Sequence, residues 1–231
     1  MQNAIIKCTA LAAVLATGTM FTTVTQAASI EGNVGITSDY IWRGMTQSDG
    51  ESSFSGGIDI STDGGFYAGT WVGDVKDTAG TGASYELDVY AGYAGETGSI
   101  SYDVGYIQYM YPDVDADQDF GEVYVGLGTG PVSVTYYYEV DNDDGAVDSG
   151  DNTYLSLDYG MDLGDDWGLS LHYGIYEKDG NPAQYDEQID MSLTLSKGDF
   201  SFSIVETDDM NPATLGDDQD TRAVVSYGMS F

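Results

Sequence analysis

The sequence predicts an all-β fold: a transmembrane antiparallel up-and-down β-barrel of about twelve strands, with short periplasmic turns and long acidic extracellular loops. Three observations carry that expectation. Short runs from about residue 30 to residue 231 alternate apolar and polar side chains, the period of a sheet whose two faces meet different surroundings. The connections between runs are alternately long and tight. The apolar faces carry no charge, whereas the opposite faces carry carboxylates.

Taken in chain order, the runs cover 30–45, 53–62, 66–75, 84–94, 100–110, 120–129, 132–140, 153–163, 167–176, 186–196, 200–207 and 221–231. Tight connections sit at 63–65, 95–99, 130–131, 164–166 and 197–199, where Gly and Asp supply positive φ and local hydrogen bonds. Longer acidic connections sit at 46–52, 76–83, 111–119, 141–152, 177–185 and 208–220. In an up-and-down barrel this order sends every long loop to one rim and every turn to the other. A soluble β-sandwich is the competing fold, but its Greek-key connections do not alternate so regularly.

The apolar sets include Val34/Ile36/Tyr40/Trp42 in the first run, Phe54/Ile58/Ile60 in the second and Val123/Val125/Leu127 in the sixth. Lipid can touch such faces. The third run is ambiguous, since Phe66/Ala68/Thr70/Val72 and Tyr67/Gly69/Trp71/Gly73/Val75 are both usable. Aromatic residues crowd the ends of the sets. Trp42, Phe54, Tyr85, Tyr138 and Tyr173 are expected at the loop rim, and Phe66, Tyr93, Tyr102, Trp167, Phe200, Tyr227 and Phe231 at the turn rim. Two girdles around a Val/Leu/Ile band suit rings with an apolar body and a polar tip. A platform of stacked aromatics for a ligand is the sharper alternative.

Both chain ends point to export. Residues 1–27 combine Lys7, an apolar stretch around Leu11–Leu15 and the small-x-small pattern Thr25-Gln26-Ala27, the marks of a cleaved secretory signal peptide. Residues 28–231 are then the barrel, and they hold no cysteine, because Cys8 lies in the signal. In the last run, Ala223, Val225, Tyr227, Met229 and Phe231 share one face. It resembles the closing strand of a bacterial outer-membrane barrel, whose terminal Phe is read by the barrel-assembly machinery.

The charge balance is extreme, with 39 Asp and Glu against 6 Lys and Arg. Such a chain repels phosphate, so nucleic acid is excluded as a partner. Disorder is disfavoured by 19 Tyr, 7 Phe and 3 Trp. The inward faces are expected to carry Asp39, Asp59, Glu86, Asp88, Asp103, Glu122, Glu139, Asp158, Asp162 and Asp190, with Arg43, His172 and Arg222 the few bases. Unpaired carboxylates belong around water rather than in a dry core. That implies an acidic, hydrated lumen favouring small cations or neutral solutes. The alternative is an interior closed by side chains, with the acids paired to Arg43, Arg222 and Tyr hydroxyls, in a barrel that acts structurally or through its surface.

Asp113-Val-Asp115-Ala-Asp117-Gln-Asp119 and Asp141-Asn-Asp143-Asp144-Gly145 invite a metal reading. Neither fits a calcium loop: the first has Gln118 where Gly is needed, and neither has the closing Glu. Weak divalent-ion bridging to lipopolysaccharide is the remaining functional reading of these loops. Catalysis is not expected. His172 and Ser170 stand side by side on one face, roughly 7 Å apart, without an orienting third group. No phosphate loop, zinc pattern or redox motif is present, so no metal site or cofactor is implied.

Gly32–Ser48 (GNVGITSDYIWRGMTQS) resembles the opening signature of the TorF family of porins, also catalogued as the Gcw_chp family. Gly65–Asp74 (GFYAGTWVGD), Tyr85–Tyr93 (YELDVYAGY), Tyr102–Tyr106 and Tyr111-Pro112 continue the pattern. The resemblance is strong over residues 30–112 and looser but collinear to Phe231. It implies a secreted outer-membrane barrel with pore activity. Thr37, Ser38, Asp39, Tyr40, Arg43 and Gly44 match the opening motif.

The expected function is that of an outer-membrane porin, monomeric or loosely associated. It would pass small cations or neutral solutes along a lumen lined by Asp39, Arg43, Asp59, Glu86, Asp88, Asp103, Glu122, Glu139, Asp158, Asp190 and Arg222. Asp39 and Arg43, four apart on one inward face, are expected to share a charged constriction. An ion pair that fixes strand register is the competing role for them.

Overall fold

The computed structural model describes residues 29–76, 82–114, 119–142, 152–177, 188–209 and 221–231. The signal segment 1–27 lies outside them, as do Asp115, Asp117 and Asp143–Gly145 of the candidate metal loops. Twelve strands form one closed antiparallel barrel, and no helix occurs among the described residues. The wall begins with β1 (Ser29–Thr37). After a two-stranded hairpin, β2 (Ile41–Trp42) and β3 (Met45–Thr46), it continues with β4 (Ser53–Ser61), β5 (Phe66–Asp74), β6 (Tyr85–Thr97) and β7 (Ile100–Met110). Then come β8 (Phe120–Thr129), β9 (Val132–Asn142), β10 (Thr153–Gly164), β11 (Trp167–Glu177), β12 (Gln188–Lys197), β13 (Phe200–Asp209) and β14 (Arg222–Ser230).

Each wall strand pairs with the next in chain order, and β14 closes on β1 through Val34↔Met229 and Ile36↔Tyr227. Beyond the last rung, the Gly32 and Phe231 amides each donate to the other's carbonyl at 2.9 Å. The seam between β1 and β14 is thus hydrogen-bonded from Gly32 to Thr37, and the wall is closed.

The tight turns work as their residues require. Gly164 pairs with Trp167 across Asp165 and Asp166, whose φ values of 51° and 60° make a two-residue turn with the right-handed twist of the strands. Gly98, Gly130 and Gly198 hold positive φ in the neighbouring turns. All connections described only in part join strands at the opposite rim, so the long–short alternation is a real asymmetry of the barrel.

Burial alternates along the wall strands, except towards the turn ends of β6, β10 and β11. On β8, Val123, Val125 and Leu127 are exposed, while Glu122, Gly126 and Gly128 between them are buried. On β5 the exposed set is Phe66/Ala68/Thr70/Val72, and Tyr67 and Trp71 point inward, which resolves the ambiguity of that run. A continuous belt of Val, Leu, Ile, Phe and Met on the outside of a sheet with polar inward faces is the inverse of a soluble protein, and hydrocarbon is the solvent that suits it. In that setting a two-stranded slip of one residue would turn carboxylates to lipid, so the register is strongly specified.

The first run differs from its expected form. β1 ends at Thr37 rather than near residue 45, and the chain leaves the wall. Tyr40 and Trp42 therefore do not join Val34 and Ile36 on the lipid face; Tyr40 is buried, and Trp42 packs on inward rings rather than in the loop-rim girdle. The other eleven wall strands fall within about three residues of their expected ends.

Candidate functional site

The excursion after Thr37 is a short hairpin folded into the bore. Ile41 pairs with Thr46 and Trp42 with Met45. The two central residues, Arg43 and Gly44, have φ of 48° and 79°, the conformation of a tight type I′ turn. An arginine held there is uncommon and persists only when its surroundings over-determine it. Here they do.

Arg43 reaches the far wall and donates from Nη1 to Glu122 Oε1 at 2.8 Å and from Nη2 to Oε2 at 2.7 Å. Both side chains are almost wholly buried. Such a fork-on-fork pair fixes direction as well as distance. The guanidinium also lies over the rings of Trp42 and Tyr154 at 4.3 Å each, and of Tyr137 and Tyr176 at 5.1 Å each. Desolvated cation–π contacts of this kind add to the pair. Two side chains grip the turn backbone: Gln188 Nε2 donates to Arg43 O at 3.1 Å, and Thr207 Oγ1 donates to Gly44 O at 2.8 Å.

Trp42 meets Tyr109 of β7, Phe120 of β8 and Tyr176 of β11 edge-on at about 6 Å between centroids. Tyr40 packs on Trp71 of β5 at 5.3 Å. The hairpin thus contacts strands from β5 round to β13, which is possible only for an element lying across the lumen.

Its base is tied to β14. Asp39 accepts from Thr46 Oγ1 at 2.6 Å, from Ser48 Oγ at 3.1 Å and from Arg222 Nη1 at 3.2 Å. Asp39 and Arg43 consequently do not stand on one face of one strand. The expected pairing of those two is corrected: Asp39 pairs with Arg222 and Arg43 with Glu122. The physical cause is the turn at Arg43-Gly44, which reverses the chain between them.

The remaining carboxylates are distributed below and beside the hairpin. His172 bridges two of them, with Nδ1 2.7 Å from Asp158 Oδ1 and Nε2 2.8 Å from Asp190 Oδ2. Tyr154 OH donates to Asp190 Oδ1 at 3.0 Å and lies 2.9 Å from His172 Nε2. Tyr154 therefore joins this network to Arg43. Neither ring nitrogen is turned to Ser170, so the pair has no nucleophile–base geometry. Asp103 accepts from Tyr67 OH at 2.7 Å, and the Tyr67 and Tyr124 hydroxyls bond each other. Asp59 accepts from Tyr90 OH and, at 3.1 Å, from Asn33 Nδ2. Asn152 Nδ2 donates to Glu139 Oε2 at 2.8 Å.

Glu86 and Asp88 complete the inward set. Glu86 accepts long bonds of 3.4 and 3.5 Å from Tyr40 OH, and its carboxyl group and that of Asp88 hydrogen-bond each other. At the level of the hairpin the interior is tightly filled: Glu86, Asp88, Glu122, Glu139 and Tyr154 are each at most 2 % exposed. Towards the turns it opens on one side. Ser170, Ser192, Thr194 and Ser196 of β11 and β12 face inward and are half-buried, opposite the tyrosine-lined wall.

Sequence reasoning did not anticipate the aromatic cage of Trp42, Tyr137, Tyr154 and Tyr176 or the His172 bridge. Arg43 and Glu122 are 79 residues apart, and no local pattern joins them. The one available signal was Arg43-Gly44 itself, a two-residue turn flanked by alternating residues. No group of three or more His, Cys, Asp or Glu side chains placed to hold a metal ion occurs among the described residues.

A family profile described as "Bacterial protein of unknown function (Gcw_chp)" matches residues 22–227. No curated protein matches the chain. Among solved structures, the chain is similar to a KdgM porin in complex with disordered oligogalacturonate, at 12% identity and a TM-score of 0.48, covering 89% of this chain and 98% of that one. A NanC porin gives 12% identity and a TM-score of 0.49, over 87% and 98%. The outer-membrane protein opdK from Pseudomonas aeruginosa gives 16% and 0.40, over 89% and 62%.

Proposed function

The chain belongs to the Gcw_chp family, whose description assigns no activity, and we propose from its own geometry that it is an outer-membrane porin passing small cations or neutral solutes. The observation that carries this reading is the hairpin clamped across a closed, apolar-sided barrel by Arg43 and Glu122. A purely structural barrel can fill its bore with wall side chains. An element inserted from the rim and held by its tip instead sets a narrow eyelet, whose size and charge select what passes. The inward carboxylates outnumber Arg43, Arg222 and His172, and this favours cations over anions. Asp39, Arg43, Glu122 and Arg222 form the eyelet in this reading. Asp59, Asp103 and Asp158 line the turn side, Asp190 stands beside the hairpin tip, and Glu86, Asp88 and Glu139 line the loop side.

Export follows from the same reading. Residues 1–27 act as the cleaved signal, and the barrel-assembly machinery reads the strand ending at Phe231. The acidic loops face the cell exterior and meet lipopolysaccharide through divalent cations. No catalytic step is assigned.

A second reading is favoured by one observation, the complete burial of Asp88 and Glu122. In it the bore is sealed and the protein serves as a structural or surface-interaction barrel. Reconstitution in a planar bilayer under a salt gradient separates the two. A porin gives unit conductance steps and a reversal potential of cationic sign. Absence of steps, with the barrel shown to be inserted, supports the sealed barrel.

A further inference from the structure

We propose that tyrosines of the inner wall form a binding track for organic cations of the alkylammonium or guanidinium class, along which such a cation approaches the eyelet from the turn side; this rests on the porin reading and names the solute class. The strand register lays the track out. Tyr67 of β5 stands opposite Gly92, Gly92 opposite Gly105, and Gly105 opposite Tyr124 of β8. The same row runs on through Tyr137 and Tyr154 to Tyr176 of β11. Tyr67 lies next to the tight turn that opens β5, and Tyr176 next to the loop end of β11. The row therefore climbs from the turn rim to the hairpin, as tilted strands require.

Two glycines make the lower part flat. A Cβ on Gly92 would collide with the Tyr67 ring, and one on Gly105 with the Tyr124 ring. Each ring thus lies along the wall on the glycine opposite it instead of standing into the bore, and the two hydroxyls meet. Tyr137 follows Tyr124 at 5.4 Å between centroids, and Tyr154 follows Tyr137 at 6.1 Å. Tyr67, Tyr124 and Tyr137 are half-buried, so part of each ring faces the open side of the bore. The upper end of the row already carries a cation: the Arg43 guanidinium rests over Tyr137, Tyr154 and Tyr176. The lower rings have a further advantage. Tyr67 OH donates to Asp103 and Tyr90 OH of β6 to Asp59, and a phenol that donates to a carboxylate carries more negative charge on its ring. The same carboxylates attract cations and repel anions. A small, strongly hydrated ion gains little from a ring face. An alkylammonium or guanidinium ion sheds water more readily and gains from both the ring and the carboxylate.

Choline and dimethylbutanol, its uncharged carbon isostere, test the class. Titration calorimetry of the full barrel refolded in a non-ionic detergent reads binding without any need for current. Choline should bind saturably, and the isostere about ten-fold more weakly or less. Tyr67→Leu/Tyr124→Leu should weaken choline by about ten-fold through the loss of two ring faces. Tyr67→Phe/Tyr124→Phe should retain most of the binding, and Tyr136→Leu on the lipid face should leave it unchanged. Where the leucine pair does not refold, Asp103→Asn takes its place and should weaken choline by removing a charge beside the row. Three results overturn the track: no saturable choline binding, equal binding of the isostere (an apolar surface only), or choline binding equal in the wild type and the refolded variant. A barrel that conducts potassium in a bilayer yet fails these titrations loses the track and keeps the porin reading. One that binds choline on these rings but passes no current overturns the porin reading and leaves the binding track standing.

Discussion

At the scale of single residues, Arg43 and Gly44 decide where the hairpin lies. Removing the arginine strands Glu122 as a buried, uncompensated carboxylate, a loss of about 3–5 kcal/mol for pairs of this kind. Arg43→Ala is therefore expected to lower the urea midpoint of the barrel in lipid vesicles. Replacing both partners by apolar residues, R43M with E122L, should recover much of that loss, because no charge is then left behind. Gly44 has a different role. A Cβ there would lie 2.5 Å from Thr207 Oγ1 and 2.6 Å from the Asp190 Cβ, at a φ of +79°. Gly44→Ala should cost more than about 1 kcal/mol and loosen the tip. Hydrogen exchange of the Gln47 amide, which donates to Tyr40 O across the hairpin, should then quicken.

At the scale of elements, the wall strands obey the alternation that defines them. Leu193 of β12 faces outward between Leu171 and Ile204 on its neighbours, and Ser192 beside it faces inward. Leu193→Arg is expected to cost about 2–4 kcal/mol in vesicle unfolding, and Ser192→Arg much less, since only the first puts a cation into lipid. The same period explains what the sequence revealed and what it concealed. Val123/Val125/Leu127 and Ile189/Met191/Leu193/Leu195 announce their faces one residue at a time, so eleven wall strands were legible with their turns. The hairpin was not, because Tyr40 and Trp42 keep the parity of Val34 and Ile36 and extend the first strand on paper past its true end at Thr37. A break in the backbone at Arg43-Gly44 leaves no break in the apolar pattern. Asp39, Glu122 and Asp190 were recognised as inward residues from the alternation of their runs. Their partners were not, because each contact bridges distant strands and depends on the curvature of the closed wall.

At the scale of the whole molecule, closure joins location to function. The Phe231 side chain is exposed on the outer face and its backbone pairs with Gly32, so its ring adds little to the stability of the finished barrel. Phe231→Asp should consequently leave refolding in detergent nearly intact but sharply reduce the amount of protein reaching the outer membrane of a host cell. Fractionation set against refolding yield makes that comparison. Twelve strands enclose a bore between that of side-chain-filled eight-stranded barrels and open sixteen-stranded porins, so on the proposed porin reading the inserted hairpin sets what passes. Single-channel recording of wild type against Arg43→Ala under a salt gradient tests this most directly. Releasing the hairpin and removing its positive charge should enlarge the unit conductance and move the reversal potential further in the cationic direction. Unchanged conductance together with an unchanged reversal potential would contradict a hairpin eyelet held by Arg43 and Glu122.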